Sequence, residues 1–353
     1  MIGRPRPEVL AVAGYVPGKS KKAVEQETGI TDVVKLASNE RTASPTSSVS
    51  AAMAEAARHT NRYPDNGAVV LRSALAANLG VDINTIAVSS GSVGLLQQIT
   101  AAYAGPGRDV AYPWRSFELY PIFTKLSGAR EIATPLTDGW SVDVEALVDA
   151  VTPDTTLIKL ATPNNPTGTA LTSAELQFII DGVGDDVIIL VDEAYREYVL
   201  ADLWDPVDLV DRHPNVVHMR TFSKAYALAA ARVGWCYGHP EVISCIKATQ
   251  PPFPVTNMGL AGALAALSDT EALEAHVEEA IAERARVVAE LRSRGWDIPS
   301  SQEGNFVWMP TADAVELTQS LESKGVIVRP FHGEGIRMTI GRPHENDHFL
   351  DAL

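Results

Sequence analysis

Apolar residues along this chain fall into two alternating textures. Short uninterrupted runs at 86–89, 109–112, 157–161, 187–192, 216–220 and 233–237 have strand length. Segments at 69–79, 93–103, 117–126, 144–151 and 174–182 carry apolar residues at helical spacing instead. This alternation predicts an α/β fold, an open and mostly parallel sheet covered on both faces by helices. The run Ile188-Ile189-Leu190-Val191 has no polar position, which predicts a central strand buried on both sides. After Pro240 the texture changes. Helices are expected at 259–267 and 271–294, then short runs at 305–309, 326–329 and 337–340, with a helix at 312–324. This reads as a smaller α+β unit. The first 32 residues are rich in Pro, Gly and Lys and only weakly periodic. The expected organisation is an N-terminal arm over 1–32, a large domain over 33–245 and a small C-terminal domain over 246–353.

Composition narrows the class of function. With 46% hydrophobic and 21% charged residues among 353, the chain is folded rather than disordered. Its formal charge of −15 argues against binding nucleic acid or docking electrostatically on an anionic membrane. Two cysteines, Cys236 and Cys245, exclude a disulfide scaffold and a CxxC metal knuckle. There is no apolar stretch of about 18 residues, and residues 1–10 lack the apolar core of a secretory signal. The expectation is a soluble cytoplasmic protein.

Two motifs mislead. Gly14-Tyr15-Val16-Pro17-Gly18-Lys19-Ser20 resembles a nucleotide phosphate loop but has three residues between its glycines where four are needed, and no apolar helix is expected after it. His344-Glu345-Asn346-Asp347-His348 matches the HExxH pattern of zinc peptidases. It lies in the last ten residues, directly after Pro343, with almost no chain left to supply a third ligand. A proline-initiated surface helix is the expected structure there, and no metal site is assigned.

The chemistry-bearing residues cluster after predicted strands. Asn164-Asn165-Pro166-Thr167-Gly168 follows the 157–161 run, Asp192-Glu193-Ala194-Tyr195 ends the buried central run, and Thr221-Phe222-Ser223-Lys224 follows the 216–220 run, with Arg232 eight residues on. In open α/β sheets ligands bind at the carboxyl ends of strands. Singly, each motif is ordinary: a surface lysine, a capping aspartate, a turn. Together they suit pyridoxal 5'-phosphate. Lys224 can condense with the cofactor aldehyde if its surroundings release its proton. Asp192 can keep the pyridine nitrogen protonated, which makes the ring an electron sink. Asn165 and Tyr195 can hydrogen-bond the ring's phenolate oxygen. Thr221, Ser223 and Arg232 can hold the phosphate, as can Ser90-Gly91-Ser92-Val93, where a strand turns into a helix N-terminus. Phe117 can stack on the ring face.

With these residues in view, the chain resembles the fold-type I pyridoxal-phosphate aminotransferases, in the branch holding the histidinol-phosphate and aromatic amino acid enzymes. Tyr15–Lys19, Lys35-Leu36-Ala37-Ser38-Asn39-Glu40, Asn61-Arg62-Tyr63-Pro64-Asp65 and Gly335-Ile336-Arg337-Met338-Thr339-Ile340 extend the match over essentially the whole chain. The resemblance implies a seven-stranded large domain, a small C-terminal domain and a homodimer in which Tyr63 reaches the partner subunit's cofactor phosphate. It also implies that Arg337 grips the substrate carboxylate and that Tyr15, Asn39 and Arg329 line the substrate pocket. Ala227 and Ala230 stand where the family usually has glycines, so the loop after Lys224 is expected to sit slightly differently.

The implied reaction is ping-pong transfer of an amino group from an amino acid or amine donor to a 2-oxo acid, with Lys224 as general acid and base. Arg337 does not decide the donor, because a guanidinium pairs with a carboxylate or a phosphate ester. The blocks 15–19, 35–45 and Trp114–Phe117 look closer to actinobacterial aromatic aminotransferases, making phenylalanine and tyrosine the expected donors and histidinol phosphate the alternative. A decarboxylase or acyl-CoA condensing enzyme would share the same cofactor residues. A binding protein with a dead site should lack Lys224, Asp192 or Arg232, and all three are present.

Overall fold

The computed structural model describes residues 3–14, 18–201 and 203–353. Its centre is a seven-stranded sheet in the order Ile86–Ser90, Val233–Gly238, Val216–Thr221, Ile188–Asp192, Thr155–Ala161, Asp109–Trp114, Arg130–Pro135. Val233–Gly238 runs antiparallel to both neighbours, and all other neighbours pair in parallel. The six codirectional strands therefore end on one edge, which places Ser90, Ala161, Asp192 and Thr221 side by side in space. The alternation of strand side chains divides the core. Ile188, Leu190, Val217 and Met219 pack on one face with Leu95, Ile99 and Tyr120. Ile189, Val191 and Val216 pack on the other with Leu147, Leu176 and Ile179. Each such fully buried side chain contributes roughly 1.5–3 kcal/mol relative to exposure.

Two close approaches fix the start of helix Gly91–Tyr103. Gly91 has φ +75°, the left-handed region that a side chain disfavours. A Cβ at Gly234 would lie 2.3 Å from the Ser92 nitrogen, so only glycine lets the neighbouring strand carry the helix N-terminus this closely.

The C-terminal unit holds an antiparallel sheet of Arg329–Phe331, Gly335–Thr339 and Phe306–Pro310. The run expected at 326–329 is split: Val326–Ile327 belongs to a separate two-stranded parallel sheet with Val34–Lys35. Val34 and Leu36 share an apolar cluster with Val307, Met309 and Leu350, so this early segment packs with the C-terminal unit. Helix Asn257–Ser268 packs instead in the cluster containing Val49, Leu71 and Trp235. The 24-residue helix Thr270–Ser293 then leads into the small unit.

The described residues of both misleading motifs have plain structures. Tyr15 lies outside the described residues, as do Val16 and Pro17. Ser20 caps a helix Lys21–Thr28 that the polar sequence concealed; only Val24 in it is buried. Lys19 is paired with Glu27 at 2.8 Å and Glu322 at 2.9 Å. Pro343 opens helix Pro343–Ala352, where the Glu345 carboxylate accepts from the Arg342 amide at 2.9 Å. His348 Nε2 meets the Lys324 carbonyl oxygen at 3.0 Å. Asn346, Phe349 and Leu350 are buried, so this helix is half core rather than surface. Among the described residues no helix is long and apolar enough to cross a membrane.

Candidate functional site

A cleft of about 190 Å³ opens at the carboxyl edge of the large sheet, closed on its far side by the small unit. It is lined by Asn39, Ser92, Val93, Phe117, Asn165, Asp192, Tyr195, Thr221, Ser223, Lys224 and Arg232 from the expected large domain and by Arg337 from the small one.

Asp192 is the last residue of the central strand and is 5% exposed. Its carboxylate accepts from the Tyr120 hydroxyl and from the Ala194 amide, each at 3.2 Å. Burial nevertheless raises its pKa to about 7. Its neighbour Glu193 behaves oppositely. Burial opposes its charge too, but His218, Arg196 and Arg220 outweigh that and hold it at about 2. The strand thus ends in two carboxylates of contrasting character, and the one in the cleft is the one poised to gain from a cationic partner.

Lys224 projects into the same space. Its Nζ donates to the Ser38 carbonyl at 3.2 Å and lies 5.7 Å from the centre of the Tyr195 ring. Burial, with the guanidinium groups of Arg337 and Arg232 reinforcing it, lowers the amine to about 7. A large fraction is then neutral and nucleophilic near neutral pH. The Tyr195 hydroxyl accepts from Asn39 Nδ2 at 2.9 Å.

A cradle for an anion lies beside these groups. Helix Gly91–Tyr103 begins without a side-chain cap, and its first amides face the cleft with Ser92 and Val93. The Ser90 hydroxyl is turned away and donates to the Pro254 carbonyl. Arg232, held at φ +56°, sends Nη1 to the Ala229 carbonyl at 2.8 Å and to the Ser223 hydroxyl at 3.3 Å. A Cβ at Gly91 would come within 2.4 Å of Arg232 Nη2, so the missing side chain is what leaves room for the guanidinium. Thr221 Oγ1 accepts from the Ser223 amide at 3.1 Å. Ala227 adopts φ +60°, and an L-residue there costs roughly 1–2 kcal/mol that a glycine would not.

The paired asparagines divide their work. Asn164 is a buttress, accepting from the Ser116 hydroxyl at 2.6 Å and donating to the Arg115 carbonyl at 3.0 Å and to Thr167 Oγ1 at 2.8 Å. Asn165 faces the cleft, and its Oδ1 accepts from Arg337 Nη1. Arg337 is 8% exposed, donates to the Ala37 carbonyl at 2.7 Å and lies near the rings of Phe306 and Phe331. Arg329 donates to the Glu118 carboxylate at 2.8 and 3.1 Å. Tyr63 stands apart, 81% exposed and stacked on Phe253 with ring centres 4.5 Å apart.

Sequence reasoning missed Ser38, Tyr120, Phe331 and Glu118. Ser38 reaches Lys224 through its backbone carbonyl, Phe331 reaches the cleft through the folded small unit, and Glu118 lines it with no motif around it. Tyr120 follows Phe117 by three residues, so helical spacing could have placed it near the same site.

The sequence model described as "Aminotransferase class I and II" matches residues 31–353. A protein of Mycobacteroides abscessus named aromatic amino acid aminotransferase is 44% identical over 99% of this chain and 98% of the relative. One of the same name from Thermobifida fusca is 46% identical over 90% of this chain and 88% of the relative. The crystal structure of histidinol-phosphate aminotransferase from Sinorhizobium meliloti in complex with pyridoxal-5'-phosphate superposes with a TM-score of 0.90. It is 27% identical and covers 100% of this chain and 97% of that one.

Proposed function

Because the chain belongs to the class I and II aminotransferases, we propose that it is a pyridoxal-phosphate enzyme that moves the amino group of an aromatic amino acid to a 2-oxo acid. The donor set suits that cofactor. Lys224 supplies an amine lowered to about 7, Asp192 a buried carboxyl raised to about 7, and the helix start at Gly91 with Arg232 and Ser223 a cradle that a Cβ would fill. Asp192 would sit against the pyridine nitrogen. Asn165 and Tyr195 would meet the ring oxygen, Phe117 a ring face, and Ser92, Val93, Thr221, Ser223 and Arg232 the phosphate. When bound, the cofactor supplies an electron sink for the charge left as a substrate Cα–H bond breaks.

The protein's own contribution follows from its electrostatics. Lys224, about half neutral near pH 7, can accept the proton from the substrate α-carbon as general base and donate it again as general acid. Arg337, held by Asn165 and the Ala37 carbonyl, orients the substrate carboxylate. Asn39 fixes the Tyr195 hydroxyl. The exposed Tyr63 suits a homodimer in which it completes the partner subunit's phosphate site, and a cytoplasmic location fits such an enzyme.

The observation that carries the aromatic reading is the wall above Arg337. Phe331 lines the cleft beside Arg337, and Trp308 packs against it with ring centres 5.3 Å apart. An aromatic side chain entering there would meet ring faces and edges rather than solvent. The test is a half-reaction screen. The pyridoxal form of the purified protein is mixed with phenylalanine, tyrosine or histidinol phosphate, and conversion to the pyridoxamine form is followed by absorbance. Phenylalanine and tyrosine should convert it fastest. Rapid conversion by histidinol phosphate with none by phenylalanine overturns the aromatic reading.

A further inference from the structure

Arg337 lines the cleft, and a second small-unit arginine, Arg329, stands beside it on the adjacent strand. Arg329 and Arg337 are direct partners in the antiparallel ladder, so both side chains project from the same face of the small sheet. Each guanidinium carbon lies 5.9 Å from the Phe331 ring centre, so the two charges flank one ring. Two guanidinium groups this close would form a site for a substrate with two anionic groups: a second carboxylate or a phosphate ester beyond the one that Arg337 takes. Glu118, from the large unit, changes that. It lines the cleft one residue after Phe117, and its carboxylate accepts from Arg329 through both oxygens, at 2.8 and 3.1 Å. The pair is largely screened from water, with side chains 10% and 32% exposed. A second substrate anion reaching Arg329 must therefore displace Glu118 or sit beside its negative charge.

We propose that Glu118 is a specificity residue: by neutralising Arg329 it disfavours donors with a second anionic group and leaves Arg337 to bind donors that carry one. The inference deepens the aminotransferase reading and rests on it for the role of Arg337. Arg115 and Glu334 make a second ion pair between the same two units. The polarity is reversed there, because the large unit supplies the cation. Among the described residues, the ion pair at Glu118 is the one that places acidic charge from the large unit over a small-unit arginine.

The test compares wild type with Glu118→Gln, which keeps the shape and removes the charge. The readout is the ratio of kcat/KM for a donor with two anionic groups, O-phosphoserine in one arm and glutamate in the other, to kcat/KM for phenylalanine. Charge-assisted hydrogen bonds of this kind change affinity roughly ten- to hundredfold, so the ratio should rise by that factor in at least one arm. The arm that rises tells whether the space beyond Arg329 suits a phosphate ester or a carboxylate. Adding Arg329→Gln to Glu118→Gln should abolish the gain. An unchanged ratio in both arms, or a gain that survives loss of Arg329, overturns the proposal. A readout without turnover guards against a variant that is merely damaged. Titration calorimetry of the cofactor-loaded protein should show glutarate gaining affinity relative to 3-phenylpropionate in Glu118→Gln, and a fixed ratio of the two overturns the idea. The wild-type preference between phenylalanine and histidinol phosphate tests the aromatic reading separately, because the change in ratio is defined whichever donor the wild type favours.

Discussion

The substitution Asp192→Asn isolates the electrostatic cost of the cleft before any ligand is added. In the cofactor-free protein burial raises the Asp192 carboxyl to about 7, against two hydrogen-bond donors that favour its charged form. In the unfolded chain it titrates at its ordinary value of about 3.9. The folded state therefore holds more protons between those values, and the stability this group allows is present below about pH 4 and lost as pH rises through 7. Integrating that difference between pH 5 and pH 8 gives a loss of about 2.5 kcal/mol, at about 1.36 kcal/mol per pKa unit. Lys224 and Lys159, both lowered to about 7 mainly by burial, act in a different window. Their penalty is constant below pH 7 and is relieved between 7 and about 10.5. Urea unfolding of the cofactor-free wild type and the Asp192→Asn variant at pH 5 and pH 8 separates the terms. Relative to wild type, the variant should gain about 2.5 kcal/mol between the two pH values. A stability difference that is the same at pH 5 and pH 8 would show that the Asp192 carboxyl is not raised, and the account of the cleft as a site awaiting a cation would fail.

Other predictions bear on the remaining groups. Lys224→Ala should lower turnover by roughly 10²- to 10⁴-fold or more, since it removes the general acid and base; wild-type-like multiple turnover in that variant would contradict the assignment. Gly91→Ala forces a Cβ into the space of the Arg232 guanidinium. It should weaken cofactor binding about tenfold or more in a fluorescence titration of the cofactor-free protein, whereas unaltered affinity would remove the cradle from the argument. Arg337→Gln should lower kcat/KM for phenylalanine roughly ten- to hundredfold, measured by steady-state kinetics, and a wild-type value would move carboxylate recognition elsewhere.

The sheet was legible in sequence wherever strands are buried on both faces. Ile188–Asp192 has no polar alternation and was found almost to the residue, as was helix Val69–Leu79. Strand Arg130–Pro135 escaped because it is an edge strand, paired on one side and half-exposed, so charged residues interrupt its pattern. Helix Ser47–Ala57 escaped because serine and alanine carry little apolar contrast, with Val49 alone fully buried. Motifs located the groups at the strand ends, since a lysine, an aspartate and a glycine-led helix start leave local signatures. Glu118 and Phe331 left none. One matters through a partner 211 residues away and the other through packing in a sheet assembled late in the chain.

The segment 34–39 ties the reactive amine to the small unit. Val34–Lys35 is hydrogen-bonded into that unit's sheet, Leu36 accepts from the Thr339 amide, and Asn39 receives the Thr339 hydroxyl. The same few residues present the Ser38 carbonyl to Lys224 and the Asn39 amide to Tyr195. One short segment is therefore at once a structural seam and the source of the acceptor for the amine. A shift of the small unit against the large sheet would move the hydrogen-bond partners of Lys224 and Tyr195 with it, because both belong to the segment that is bonded to Thr339.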